Sequence, residues 1–215
     1  MADPIFRRMH SAEKSVREPR QKRSIEKKAR IIQAAFKVFG TKGYYRTDTK
    51  DIAKEAELAT GTVYAYFKDK KDIFLEASRQ FYAQVLRHLE ESFSSSPSFR
   101  ESRVDLRRIV ETLDTLPDLL WDFQKELLGL VSMDSDVKAC AEQHREEVIG
   151  LIAKYLAPMN GGKGCSREGI VLAVTFLQGF FLLFEDIKED RTVRLETEFN
   201  LMAKALAAVL LVEDD

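Results

Sequence analysis

With 215 residues, 45% apolar and 32% charged, and with only 10 Gly and 5 Pro, the chain can bury a sizeable core and has the composition of an all-α globular protein. Its longest apolar run, residues 170–184, is broken by Thr175 and Gln178 and closed by Glu185, too short and too polar to cross a bilayer, so a membrane protein is excluded. The formal charge of −1 hides a division: residues 1–71 hold 18 Lys+Arg against 9 Asp+Glu, and the remainder 16 against 26, as expected where a module that meets a polyanion is joined to one that does not.

Residues 1–22 are polar and basic, carry Pro4 and Pro19 and show no sustained period, so they read as a flexible basic arm. With no apolar segment behind them they are not a secretory signal. Two cysteines, Cys140 and Cys165, without CxxC spacing, suit a reduced, cytoplasmic compartment. From Ser24 a helical stripe begins with Ile25, Ala29, Ile32, Phe36 and Phe39, and Gly43 is its stop. In "YYRTDTK" either Thr47 or Thr49 can cap a short second helix, which carries Ile52, Ala53 and Ala56 inward. After a turn at residues 58–60, a third short helix runs from about Gly61 to Phe67. A long helix follows over about 72–93, with Ile73, Phe74, Ala77, Phe81, Val85 and Leu89 on its apolar side. Further helical patterns fall at about 100–115, 118–132, 136–157, 166–188 and 191–212, which brings the expectation to about nine helices and no strand.

The segment "DIAKEAELATGTVYAYF", residues 51–67, places three aromatics within four positions. A 3.6-residue period puts Val63 and Phe67 on the inner face with Ile52 and Ala56, leaving Thr60, Thr62, Tyr64 and Tyr66 for the outer one. Two short helices joined by a tight turn behind a longer helix form a helix-turn-helix unit. Small hydroxyls at the start of its last helix suit base edges, and tyrosine hydroxyls suit phosphate oxygens. Lys70, with Lys68 and Lys71, supplies point charge.

The stretch "KKARIIQAAFKVFGTKGYYRTDTKDIAKEAELATGTVYAYFKDKKDIF" resembles the DNA-binding domain of the TetR family of transcriptional regulators, over roughly residues 24–74. The motifs "AAFKVFGTKGY", "DIA", "GTVYAYF" and "KDKKDIF" stand in the family's order and spacing. The resemblance implies that Thr47 caps the second helix and contacts phosphate, that Thr60, Gly61 and Thr62 sit at base edges, that Tyr64 touches base and backbone, and that Tyr66 and Lys70 lie on phosphate. Three positions depart from the pattern, the least of them Thr49 in place of the usual apolar residue after the capping pair. Glu57 stands where the family has Gly in the turn, and Ala59 where it has a capping Ser, a loss of about 1 kcal/mol for the third helix.

The implied organisation is a basic arm (1–22), a helix-turn-helix domain (23–71) and a helical effector-binding and dimerisation domain (72–215). The implied function is a DNA-binding regulator, a repressor on the family's pattern, acting on a palindromic double-stranded operator as a homodimer through helices 166–188 and 191–212. Trp121, Phe123, Met133, Tyr155, Phe176 and Phe180, with His144 and Gln178 as polar groups, are the candidate lining of a pocket for a small, mostly apolar effector. No cofactor or metal is expected, since His10, His88 and His144 are isolated. "NGGKGCS" lacks the Ser/Thr and the spacing of a phosphate loop, and no nucleophile motif appears, so the chain is not read as an enzyme. The competing reading is a helical ligand-binding or anionic-surface-binding protein without sequence-specific DNA recognition.

Overall fold

The computed structural model of the chain describes residues 17–95, 118–156 and 165–176, together with Gly179 and Lys204. Six helices follow in order: α1 (Arg17–Lys42), α2 (Thr49–Glu55), α3 (Thr60–Tyr64), α4 (Lys70–Ser95), α5 (Asp118–Val131) and α6 (Ser135–Leu156). Residues 167–176 add a seventh helical stretch. Among the described residues there is no strand, and the fold is all-α as the composition requires. The described residues hold seven helical stretches, against about nine expected for the whole chain; the helices expected at 100–115 and 191–212 lie outside the described residues, apart from Lys204.

Helix α1 starts seven residues before the expected Ser24 and therefore within the segment expected to be an arm. Pro19 is compatible with that start, because the first-turn amides of a helix have no intrahelical partner to lose. The apolar stripe is also shorter than its period suggested: Ile25 is 63% exposed and Ala29 is exposed, while Ile31, Ile32, Ala35, Phe36 and Phe39 are fully buried. Period 3.6 marks a face that can be buried, and only the C-terminal half of α1 has helices lying against it.

That half packs chiefly against α5. Gly40 makes the close approach possible, since a Cβ there would stand 2.8 Å from the Asp122 Cβ. Phe123, fully buried, enters between α1 and α4, with ring centroids 5.0 Å from Phe36, 5.1 Å from Phe74, 6.0 Å from Phe81 and 6.4 Å from Phe39. The core thus centres on one aromatic cluster shared by α1, α4 and α5. Helix α4 buries Ile73, Phe74, Ala77, Phe81 and Leu89, as its spacing predicts, and continues along α6.

Candidate nucleic-acid interface

Helix α2 is capped by Asp48 and not by Thr47. The Asp48 carboxylate accepts from the Asp51 amide at 2.9 Å, and the Asp51 carboxylate accepts from the Asp48 amide at 3.1 Å, a reciprocal capping box. Lys42 hydrogen-bonds Asp51, which, with the Asp48 amide, holds this carboxyl below its usual range. Thr47 is 2% exposed and its hydroxyl donates to the Gly43 carbonyl at 2.8 Å. The capping role implied for Thr47 is thereby corrected, and its hydroxyl is committed within the loop. "TDT" offers three capping side chains in a row, and the choice among them was made by the fold of the preceding loop.

The α2–α3 turn works without glycine. The Glu57 amide donates to Lys54 O (3.1 Å) and the Leu58 amide to Ala53 O (2.9 Å), the paired bonds of a Schellman motif, with Glu57 at φ 52° in the left-handed region. Arg30 closes this turn from α1, donating to Ala56 O at 2.6 Å and to Glu57 Oε2 at 3.3 Å. An L side chain in that region costs about 1–2 kcal/mol, part of which glycine returns as chain entropy, and the exposed ion pair adds little. Glu57→Gly is therefore expected to stabilise the protein by about 0.5–1 kcal/mol in denaturant unfolding. Ala59, the N-cap of α3, makes no side-chain bond, so Ala59→Ser should add a similar amount. Loss of stability in Glu57→Gly would show that the Arg30 pairing outweighs backbone strain.

Helix α3 separates its two faces as its period predicts. Val63 is fully buried and Phe67 is 4% exposed, whereas Gly61 is exposed and Tyr64 is 55% exposed. Thr60 and Thr62 are half-buried at the helix start. Tyr66, expected to face outward, is half-buried against the core cluster, so only its edge is open. A Cβ on Gly61 would meet nothing of this chain within 4 Å. The protein's own packing therefore does not demand glycine there.

Lys70, which the resemblance gives to phosphate, is engaged within the protein. Its ammonium donates to Tyr44 O and Thr47 O, both at 2.8 Å, and lies 4.4 Å from the centre of the Tyr44 ring. Two of its three protons clamp the α1–α2 loop onto the start of α4. Neighbouring Lys71 pairs with Asp134 (2.8 Å) and Asp136 (2.6 Å) at the α5–α6 corner. Those hydrogen bonds raise the Lys71 pKa and lower that of Asp134. Glu126 accepts the Tyr44 amide at 2.8 Å. These contacts tie the reading unit to α5 and α6. Sequence reading missed them, because a pair 63 residues apart leaves no local pattern.

The described members of the expected effector lining lie at several places in the fold. Phe123 belongs to the central aromatic cluster, and Met133 is 71% exposed, its sulfur accepting from the Tyr45 hydroxyl at 3.6 Å. Phe176 is 46% exposed, and the side chains of Gln178 and Phe180 lie outside the described residues. Trp121 is buried at 8% exposure. Tyr155 packs on Phe93 with its hydroxyl 2.8 Å from Ser94 Oγ, while His144 stacks on Tyr82 at 4.0 Å, three turns earlier on α4. His144 is 6% exposed and, among the described residues, its Nδ1 has no hydrogen-bond partner; burial pushes its pKa down to about 4.

Residues 31–77 match the model of the bacterial regulatory proteins of the tetR family. The chain is 35% identical over 71 residues to the fatty acid metabolism regulator protein of Bacillus subtilis, covering 33% of this chain and 37% of that protein. It is 50% identical over 48 residues to the HTH-type transcriptional regulator HbdR of an Aromatoleum species, 22% of this chain and 21% of that one. The chain thus spans well under two thirds of these relatives' length. Among solved structures, FadR of Bacillus subtilis in complex with stearoyl-CoA superposes with a TM-score of 0.67 at 20% identity, over 84% of this chain and 98% of that one.

Proposed function

We propose that the chain, whose residues 31–77 match the model of the tetR family of bacterial regulatory proteins, is a DNA-binding transcriptional regulator, a repressor that binds a palindromic operator as a homodimer and answers to a small, mostly apolar effector. The observation that carries the reading is α3: Val63 is sealed inside, while the opposite side offers Thr60, Gly61, Thr62 and Tyr64 to a groove. Paired units related by a two-fold axis would place two such helices about one DNA turn or more apart. Such a role is cytoplasmic, and among the described residues no helix is long and apolar enough to cross a membrane.

Gly61→Ala tests the interface against packing. With open space around the site, the variant should be as stable as the parent or up to about 1 kcal/mol more so, since alanine is the better helix former. Its affinity for a selected duplex should nevertheless fall about tenfold or more, the scale of one lost base contact. A variant that binds as tightly as the parent would remove the start of α3 from the interface.

For the second half of the chain, Leu172 (56% exposed) and Phe176 on residues 167–176 support self-association through the last helices. The division at about residue 71 is a functional one, because α5 and α4 share a core with α1. The stearoyl-CoA held by the solved neighbour supports an effector with a long apolar part. In this chain the orphan Nδ1 of His144 is the polar group suited to accept a hydrogen bond from it. Effector binding that moves α4 or α5 would act on the reading unit through Lys71, Glu126 and Phe123. The coupling, typically ~1–3 kcal/mol, is reciprocal, so operator DNA must weaken inducer binding by the factor by which inducer weakens DNA binding.

A further inference from the structure

Seven of the fourteen residues 17–30 are cationic and two are acidic, a net charge of +5 on half a helix. The contacts of α1 fix where that half lies. Lys42 meets Asp51, Lys37 meets Glu55, and Arg30 meets Ala56 and Glu57. Moving toward the N-terminus of α1 therefore follows α2 to its end and passes the α2–α3 turn, from which α3 starts. From Arg30 the helix continues for thirteen more residues, roughly 20 Å, the length of about six base pairs.

The cations of this unit fall into two groups. Lys28, Arg30, Lys37, Lys42 and Lys71 are each paired with a carboxylate. Lys22, Arg23, Lys27, Lys50, Lys54 and Lys68 are exposed and, among the described residues, their side chains make no ion pair or hydrogen bond; Arg23 and Lys27 are the ones on α1 in register with Arg30. Arg23 stands two turns before Arg30 and so on the same side of α1, the side that touches the α2–α3 turn; Lys27 is one turn before Arg30. Unneutralised charge on a helix, beside α3 and continuing beyond it, is complementary to a phosphate backbone.

We infer that the N-terminal half of α1 is a second DNA-backbone contact, flanking the helix-turn-helix, in which Arg23 and Lys27 meet phosphates outside the groove that α3 enters. The inference rests on the DNA-binding reading. It adds sequence-independent affinity and lengthens the footprint, and it assigns the phosphate role to these residues rather than to Lys70.

Because phosphate contacts do not require a cognate sequence, the test needs no operator. The full chain, the double variant Arg23→Gln/Lys27→Gln and the remote control Lys138→Gln are titrated against a fluorescein-labelled random 40-base-pair duplex between 50 and 200 mM salt. Each phosphate contact contributes about 0.9 to the slope of log affinity against log salt, so the double variant should lose nearly two units of slope. Its affinity should then fall about tenfold less than the parent's across that range, while Lys138→Gln keeps the parental slope. An unchanged slope in the double variant, with helical content preserved by circular dichroism, overturns the inference alone. Failure of the parent chain to bind the duplex at 50 mM salt overturns the DNA-binding reading and this inference with it.

Discussion

Phe123→Ala should destabilise the protein by about 3–5 kcal/mol, the largest single effect expected of any side chain described. The ring is fully buried and touches aromatic partners on two helices, with centroids 5.0–6.4 Å away. Deleting it removes the transfer energy of a phenyl group and leaves a cavity whose walls are held by α1, α4 and α5. Since Phe36, Phe39 and Phe74 also form the inner wall of the reading unit, the loss should weaken that unit and its attachment to α5 together. Urea unfolding followed by circular dichroism gives the number. A cost below about 1.5 kcal/mol would mean that α5 is not held as the aromatic cluster indicates.

The second large effect is on acid stability. His144 has its pKa pushed from 6.5 down to about 4 by burial. It is neutral in the folded chain, so between those values the unfolded chain binds the extra proton. Stability is fully present above pH 6.5 and is lost as pH falls toward 4, by on the order of 3 kcal/mol from this residue. The lowered carboxyls of Asp51, Glu76 and Asp134 act in the same direction but titrate lower, below their ordinary values of 3.8–4.5. His144→Phe keeps a ring against Tyr82 and removes the titration, so the dependence between pH 6.5 and 4 should flatten by about one proton. Parental and variant curves of the same slope would show that His144 does not stay neutral in the fold.

The reading unit was legible because its pattern is local. Val63 and Phe67 four residues apart, Ile52 and Ala56 likewise, and Gly43 ending α1 each follow from helix geometry. What escaped was decided by tertiary partners. The charged first turns of α1 have no apolar period to announce them, although they are helical. Thr47 and Asp48 are equivalent as caps until the loop turns one of them inward. Glu57 occupies a glycine conformation because Arg30, 27 residues earlier, holds the carbonyl beside it. Phe123 reads the same whether it lines a cavity or fills a core, since an aromatic on an apolar helix suits both.

The central claim is that α3 reads DNA. The most direct measurement is selection of duplexes by the purified full chain from a random pool at moderate salt, followed by fluorescence anisotropy on the enriched sequence, with Tyr64→Ala in parallel. The account predicts a palindromic motif, bound with a steep salt dependence. It also predicts that Tyr64→Ala, at a position 55% exposed and outside the core, weakens that binding by about tenfold or more without loss of stability. A pool that emerges with no sequence enriched over random DNA would contradict it.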